Sequence, residues 1–133
     1  MKVLYPDYVD DPIYIELVSL AGNAGIKIKY AEKGENEESV GFAKVDEYGA
    51  SIICMMTNYD YGTNEYVNFV FAHELAHVLV DAFYGDKTHY SYVDKSHVRR
   101  FIEADADKVG AALYSLAEMT AIFKAEAKFR DAL

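Results

Sequence analysis

The chain has 133 residues, of which 52% are hydrophobic, and these values predict one globular domain over residues 1–133 with a sizeable core. Its formal net charge of −9 disfavours direct nucleic-acid binding, which needs a basic surface. The single cysteine, Cys54, excludes an intrachain disulfide and a zinc site built from several cysteines.

Polar residues interrupt every apolar stretch that might act as a targeting or membrane segment. Pro6, Asp7 and Asp10 break up the first residues, so we expect no signal peptide. The long apolar stretch over 67–84 contains an asparagine, two histidines and two acids, which argues against a membrane span. We therefore expect a cytoplasmic protein with no membrane partner, in which Cys54 is a buried hydrophobic residue.

The first half of the chain predicts one helix followed by three strands. Asp11 and Pro12 suit the N-cap and first position of a helix that ends near residue 24, at Gly25. Alternating apolar and polar residues predict a strand over 26–30. Two further strands, over 41–45 and 51–55, flank a predicted hairpin turn at 46–49.

The second half predicts three helices. Thr63 is a suitable N-cap for a helix that runs to about residue 84, and Ser96 caps a second one that ends near residue 114. Ser115 and Glu118 have the spacing of a capping box, which predicts a separate C-terminal helix. This order of elements predicts an α+β fold with an antiparallel-containing three-stranded sheet.

The stretch His73-Glu74-Leu75-Ala76-His77 is the most informative motif of the sequence. Histidines four residues apart lie on the same face of a helix, where both imidazoles can bind one Zn²⁺. Glu74 is then placed to act as the general base on a water molecule at the open side of the metal. The alternative is a helix whose two histidines only pack or form hydrogen bonds.

A zinc site of this kind needs a third protein ligand. The metzincin class is excluded because Val80 and Phe83 stand where that class has glycine and histidine. Glu103 and Asp107 share one face of the next predicted helix, whereas Asp105 is turned roughly 200° away from Glu103. We therefore predict Glu103 as the third ligand, against the alternative that it is an ordinary solvated acid.

Asp107 is a candidate for supporting the ligands rather than binding the metal. A carboxylate that accepts the free ring N–H of a ligating histidine fixes its tautomer. Asp81 is a weaker candidate for this role. The alternative for Asp107 is a solvated acid or a partner of Lys108 or Arg100.

At these residues the chain resembles the ImmA/IrrE-type zinc peptidases, a gluzincin-like family. The resemblance spans roughly residues 24–113. Its specific part is Phe69-Val70-Phe71-Ala72 followed by the motif at 73–77, and its weaker part is Glu103-Ala104-Asp105-Ala106-Asp107. The chain departs from the family pattern at Ala76, Asp105 and Val109, and none of these departures removes a ligand or the base.

The resemblance implies a small zincin-like domain in which His73, His77 and Glu103 bind zinc and Glu74 is catalytic. It also implies a protein or peptide substrate, because several such proteins come from mobile elements and act on helix-turn-helix repressors encoded beside them. The sequence thus predicts a zinc metallopeptidase with a specific intracellular substrate. The alternatives are a regulatory protein that binds zinc and acts by docking, a zinc hydrolase of another substrate, and a metal-free structural domain.

Two further features of a peptidase site stay open at this point. A donor for the tetrahedral oxyanion is needed, and five side chains between the two motif helices are candidates. They are Tyr84, His89, Tyr90, Tyr92 and His97. The strand over 51–55 is a candidate open edge for binding an extended peptide.

Overall fold

The computed structural model describes residues 7–32, 41–45, 48–57, 59–84 and 95–132, and in this part of the chain the α+β prediction is confirmed. A short 3₁₀-helix over Asp7–Asp10 comes first. The other elements are, in chain order, α1 (Pro12–Asn23), β1 (Lys27–Ala31), β2 (Gly41–Val45), β3 (Ser51–Met56), α2 (Asn64–Tyr84) and α3 (Lys95–Ala132).

The three strands form a mixed sheet in the order β1-β3-β2. β3 pairs in parallel with β1 and antiparallel with β2, where Ala43 lies opposite Ile53. The predicted antiparallel pair is thus present, while the turn residues Asp46 and Glu47 lie outside the described residues. As the central strand, β3 is buried over all but its first residue, and Cys54 is buried with it as expected.

The core lies between the inner face of the sheet and the helices. Leu17 of α1, Ile53 of β3 and Phe71 of α2 are fully buried at its centre. α3 packs along α2 and, farther along the chain, against α1. Among the described residues, no helix combines the length and the apolar character that crossing a membrane requires.

α3 is one continuous helix of 38 residues, so the predicted break before Ser115 is wrong. The stretch over 111–132 contains neither glycine nor proline and is rich in strong helix formers, which lets the helix continue through the apparent capping box. Packing holds its second half in place, because Ala117 is fully buried and Lys124 Nζ lies 2.6 Å from the carboxylate of the buried Glu16 on α1. The helix that carries Glu103 and the predicted C-terminal helix are therefore the same element.

Asp11 joins the start of α1 to the start of α2. Asp11 is the N-cap of α1, as predicted: its Oδ2 accepts hydrogen bonds from the backbone N–H groups of Ile13 and Tyr14 at 3.1 and 3.2 Å. The same oxygen accepts Nδ2 of Asn68 at 2.9 Å, and Asn68 is almost completely buried. Nδ2 of the exposed Asn64 lies 3.4 Å from Oδ1. One carboxylate thus caps α1 and accepts a hydrogen bond from the buried Nδ2 of Asn68 on α2.

Replacing Asp11 with alanine is expected to lower the free energy of unfolding by about 2–3 kcal/mol, because both the cap and the partner of a buried amide are lost. Urea unfolding of the metal-free protein measures this change. The control is Asn64→Ala, which removes only the exposed contact and is expected to cost within about 0.5 kcal/mol. Equal effects of the two substitutions would contradict the role given to Asp11.

Candidate metal centre

α2 presents both motif histidines on one face. Thr63 is the predicted cap of this helix, and its Oγ1 accepts the backbone N–H of Tyr66 at 3.1 Å. Farther along α2, the side chains of His73 and His77 are about one-fifth exposed, and their Nε2 atoms are only 3.0 Å apart. The two rings are nearly perpendicular, at 88°. This geometry directs both Nε2 lone pairs toward one point at the surface of the helix.

α3 brings Glu103 to the same point. Its Oε2 lies 3.4 Å from Nε2 of His73 and 3.3 Å from Nε2 of His77. A tetrahedral zinc ion with bonds of about 2.0–2.1 Å separates its ligand atoms by roughly 3.3 Å. The three atoms therefore have the spacing that such an ion requires, and His73, His77 and Glu103 together can hold a metal ion.

Small residues let α3 approach the turn of α2 that carries His73. Ala72 and Ala76 of α2 and Ala106 of α3 are buried at the contact. A Cβ atom added at Gly110 would lie 3.4 Å from both the carbonyl oxygen of Ala72 and the Cα of His73. This close approach allows the Glu103 side chain, about two turns earlier on α3, to reach the histidines.

Asp107 lies beside His73, the candidate metal ligand that the sequence pairs it with. Its Oδ1 is 3.1 Å from Nδ1 of His73, the ring nitrogen that faces away from Glu103. The distance suits a hydrogen bond, but the N–H direction does not, and Nδ1 has no aligned partner among the described residues. The Asp107 side chain is 65% exposed, so a small rotation of its carboxylate can align the contact. The 3.1 Å separation thus leaves the Asp107 carboxylate within hydrogen-bonding reach of Nδ1.

Replacing Asp107 with alanine is expected to weaken zinc binding by about 10- to 100-fold, because the supporting carboxylate no longer orients His73. Competition with a chromophoric chelator measures the affinity. Asp131→Ala is the matched control, since it removes an exposed acid from the same helix far from the site. A zinc affinity that falls equally in both variants would assign Asp107 only a general charge effect.

Glu74 lies between the metal ligands and β2. Burial raises the pKa of its carboxyl group, and the nearby His77 and His73 act in the opposite direction. The backbone N–H of Ala43 donates a hydrogen bond to the carboxylate and also favours its charged form. A partly desolvated carboxylate beside a metal-ligating pair is the environment in which a general base operates.

Several candidates cannot be placed. The side chains of Asp81, the weaker supporting acid, and of the five candidate oxyanion donors lie outside the described residues. Two features of the site went unpredicted, namely the Ala43 amide and the close approach at Gly110. A glycine inside a helical pattern, seven residues after Glu103, is the only sequence signal that pointed to the second of these.

Comparisons of the chain with protein-family models, with curated proteins and with solved structures find no match. The resemblance to the ImmA/IrrE-type peptidases therefore remains a hypothesis that depends on the motif residues. The spacing of His73, His77 and Glu103 does not depend on that resemblance, since the three side chains meet in the folded protein.

Proposed function

We propose that this protein is a zinc-dependent endopeptidase of the ImmA/IrrE type that cleaves a specific protein substrate. The observation that carries the proposal is the arrangement of two histidines and a glutamate with metal-ligand spacing beside a second, partly buried carboxylate. A site that only stores or senses a metal does not need Glu74. A helix-turn-helix repressor is the proposed substrate class, and the family resemblance is its support.

The roles of the residues follow from their positions. His73, His77 and Glu103 would hold the ion, and with three protein ligands the site keeps an open position. When bound, zinc polarises the scissile carbonyl group and lowers the pKa of the attacking water. Glu74 accepts the proton of that water and delivers it to the leaving amine. Asp107 keeps the His73 ring in the orientation that directs Nε2 toward the ion.

In the sheet formed by the described residues, the edge strand next to the site is β2 rather than β3. The prediction that the strand over 51–55 offers an open edge is wrong, because β3 pairs with a strand on each side. Ala43 donates its N–H to Glu74, so that side of β2 faces the catalytic carboxylate. An extended substrate that adds to this edge would place a peptide bond next to Glu74, which supports cleavage of an unfolded or looped segment.

Metal removal and restoration tests the proposal. The protein is treated with a chelator, dialysed, and supplied again with zinc before incubation with a helix-turn-helix repressor and with a mixture of peptides from a digested proteome. We expect about one zinc per chain, since one His₂Glu set binds one ion. New N-termini should appear only with the zinc-loaded protein and vanish after chelation. Zinc-loaded protein that cleaves neither the repressor nor any peptide would contradict the proposal.

A further inference from the structure

Phe69 places an exposed aromatic ring next to the candidate metal ligands. It precedes His73 by four residues, so the two side chains are neighbours on the same face of α2. Their rings lie 6.3 Å apart between centroids and are inclined by only 23°. Phe69 is nevertheless 56% exposed, so a large part of the ring is open to solvent beside the site.

The aromatic surface continues toward the start of α2. Tyr66, one turn earlier, is 42% exposed and its ring lies 6.2 Å from that of the buried Tyr61. Tyr61 is fixed in turn, because its hydroxyl accepts the Met56 N–H at 3.1 Å. Tyr66 and Phe69 are three residues apart on α2, so their exposed rings lie on the same side of the helix as His73, and we call the two rings the aromatic shelf.

We propose that Phe69 is a specificity-determining residue, which binds an aromatic side chain adjacent to the scissile bond of the substrate. This inference rests on the proposed peptidase function. A single exposed phenylalanine is ordinary on a protein surface. Phe69 differs because its ring is stacked on the ring of His73, so an aromatic group bound against Phe69 would lie beside the candidate metal position.

The offset or edge-on contacts that aromatic rings prefer supply the selectivity. They stabilise a pair of rings beyond the effect of the buried area alone. The Phe69 ring is already oriented by His73, so little side-chain freedom is lost on binding. The shelf thus favours substrates with a phenylalanine, tyrosine or tryptophan at one position beside the cleaved bond.

Two zinc-binding probes test this without any need for cleavage. Acetohydroxamate and 3-phenylpropionohydroxamate share the metal-binding group and differ by the phenyl-bearing arm. Their dissociation constants are measured by calorimetry on the zinc-loaded protein and on Phe69→Ala, Phe69→Leu and Phe129→Ala. Phe129 is a matched control, since it is 68% exposed near the far end of α3.

We expect the phenyl arm to strengthen binding roughly tenfold in the unmodified protein and in Phe129→Ala. Phe69→Ala should lose most of this gain while it retains its affinity for acetohydroxamate and for zinc. A gain that is absent from the unmodified protein, or undiminished in Phe69→Ala, would overturn the proposal. If the alanine variant binds zinc poorly, Phe69→Leu replaces it in this test. Leucine keeps the apolar volume and removes the ring, so the gain from the phenyl arm should still be lost.

These outcomes separate the proposal from the peptidase function itself. If the phenyl gain depends on Phe69 but no peptide is cleaved, the aromatic subsite stands and the catalytic function fails. If peptides are cleaved and the gain is independent of Phe69, the catalytic function stands and the aromatic subsite fails. If neither hydroxamate binds the zinc-loaded protein, the metal offers no open position, and both proposals are overturned.

Discussion

Replacing Glu74 with glutamine is expected to lower the rate of peptide cleavage by at least about 100-fold, because general-base catalysis contributes about 10²- to 10⁴-fold. Glutamine has nearly the same shape as glutamate, and its side-chain oxygen can still accept the N–H of Ala43. It cannot take a proton from water. The loss is measured as kcat/KM on a peptide that the unmodified protein cleaves.

Zinc binding separates a catalytic role of Glu74 from a structural one. Glu74 is not among the three groups that meet at the metal position, so Glu74→Gln should still bind about one zinc per chain. The matched control is Glu65→Gln, which makes the same change on an exposed turn of the same helix and should leave cleavage unchanged. Equal activity of the two variants would exclude Glu74 as the base.

The same variant distinguishes the peptidase from a protein that acts by docking. If the protein regulates a repressor by binding alone, Glu74→Gln should leave repression relief in cells intact, since its surface is almost unchanged. If cleavage is the mechanism, the relief should disappear together with the repressor fragments. A variant that has lost cleavage and kept the biological effect would therefore favour docking.

Local signals in the sequence predicted much of the fold. These signals depend on residues that are close together in the sequence. They include the Asp11 cap, the bounds of β2 and the helical phase that selects Glu103. Such patterns are encoded in neighbouring side chains, so a single sequence suffices to interpret them. The candidate metal site was predictable for the same reason, because each helix carries its candidate ligands at a regular spacing.

Features that depend on distant pairing were not predictable. The alternation of residues gives no strand order, so it could not predict that β1 pairs in parallel with β3 and leaves β3 without an open edge. The capping-box spacing at Ser115 is equally compatible with a helix interior, and only the packing of α3 against α1 decides between them. The Ala43 amide has no sequence signature, because every residue except proline carries a backbone donor.

Glu103→Gln is expected to weaken zinc binding by at least about 100-fold, more than the loss of a supporting residue such as Asp107. Glutamine keeps the length of the side chain but lacks the charge that holds a divalent cation, and only two strong ligands remain. At a zinc concentration that saturates both proteins, a 100-fold increase in the dissociation constant removes about 2.7 kcal/mol of zinc-dependent stabilisation. Chelator competition and the zinc-induced shift in Tm measure it independently.

Asp105→Asn is the decisive control for this prediction. Asp105 is two residues from Glu103 on the same helix, and the substitution makes the same change in charge. The described geometry brings Glu103, and not Asp105, to the two histidines, so the control should bind zinc as the unmodified protein does. Should Asp105→Asn lose zinc while Glu103→Gln retains it, α3 would have to be rotated by about half a turn in the metal-bound protein. The ligand assignment would then be wrong, and the inferred contact between Asp107 and His73 would fail with it.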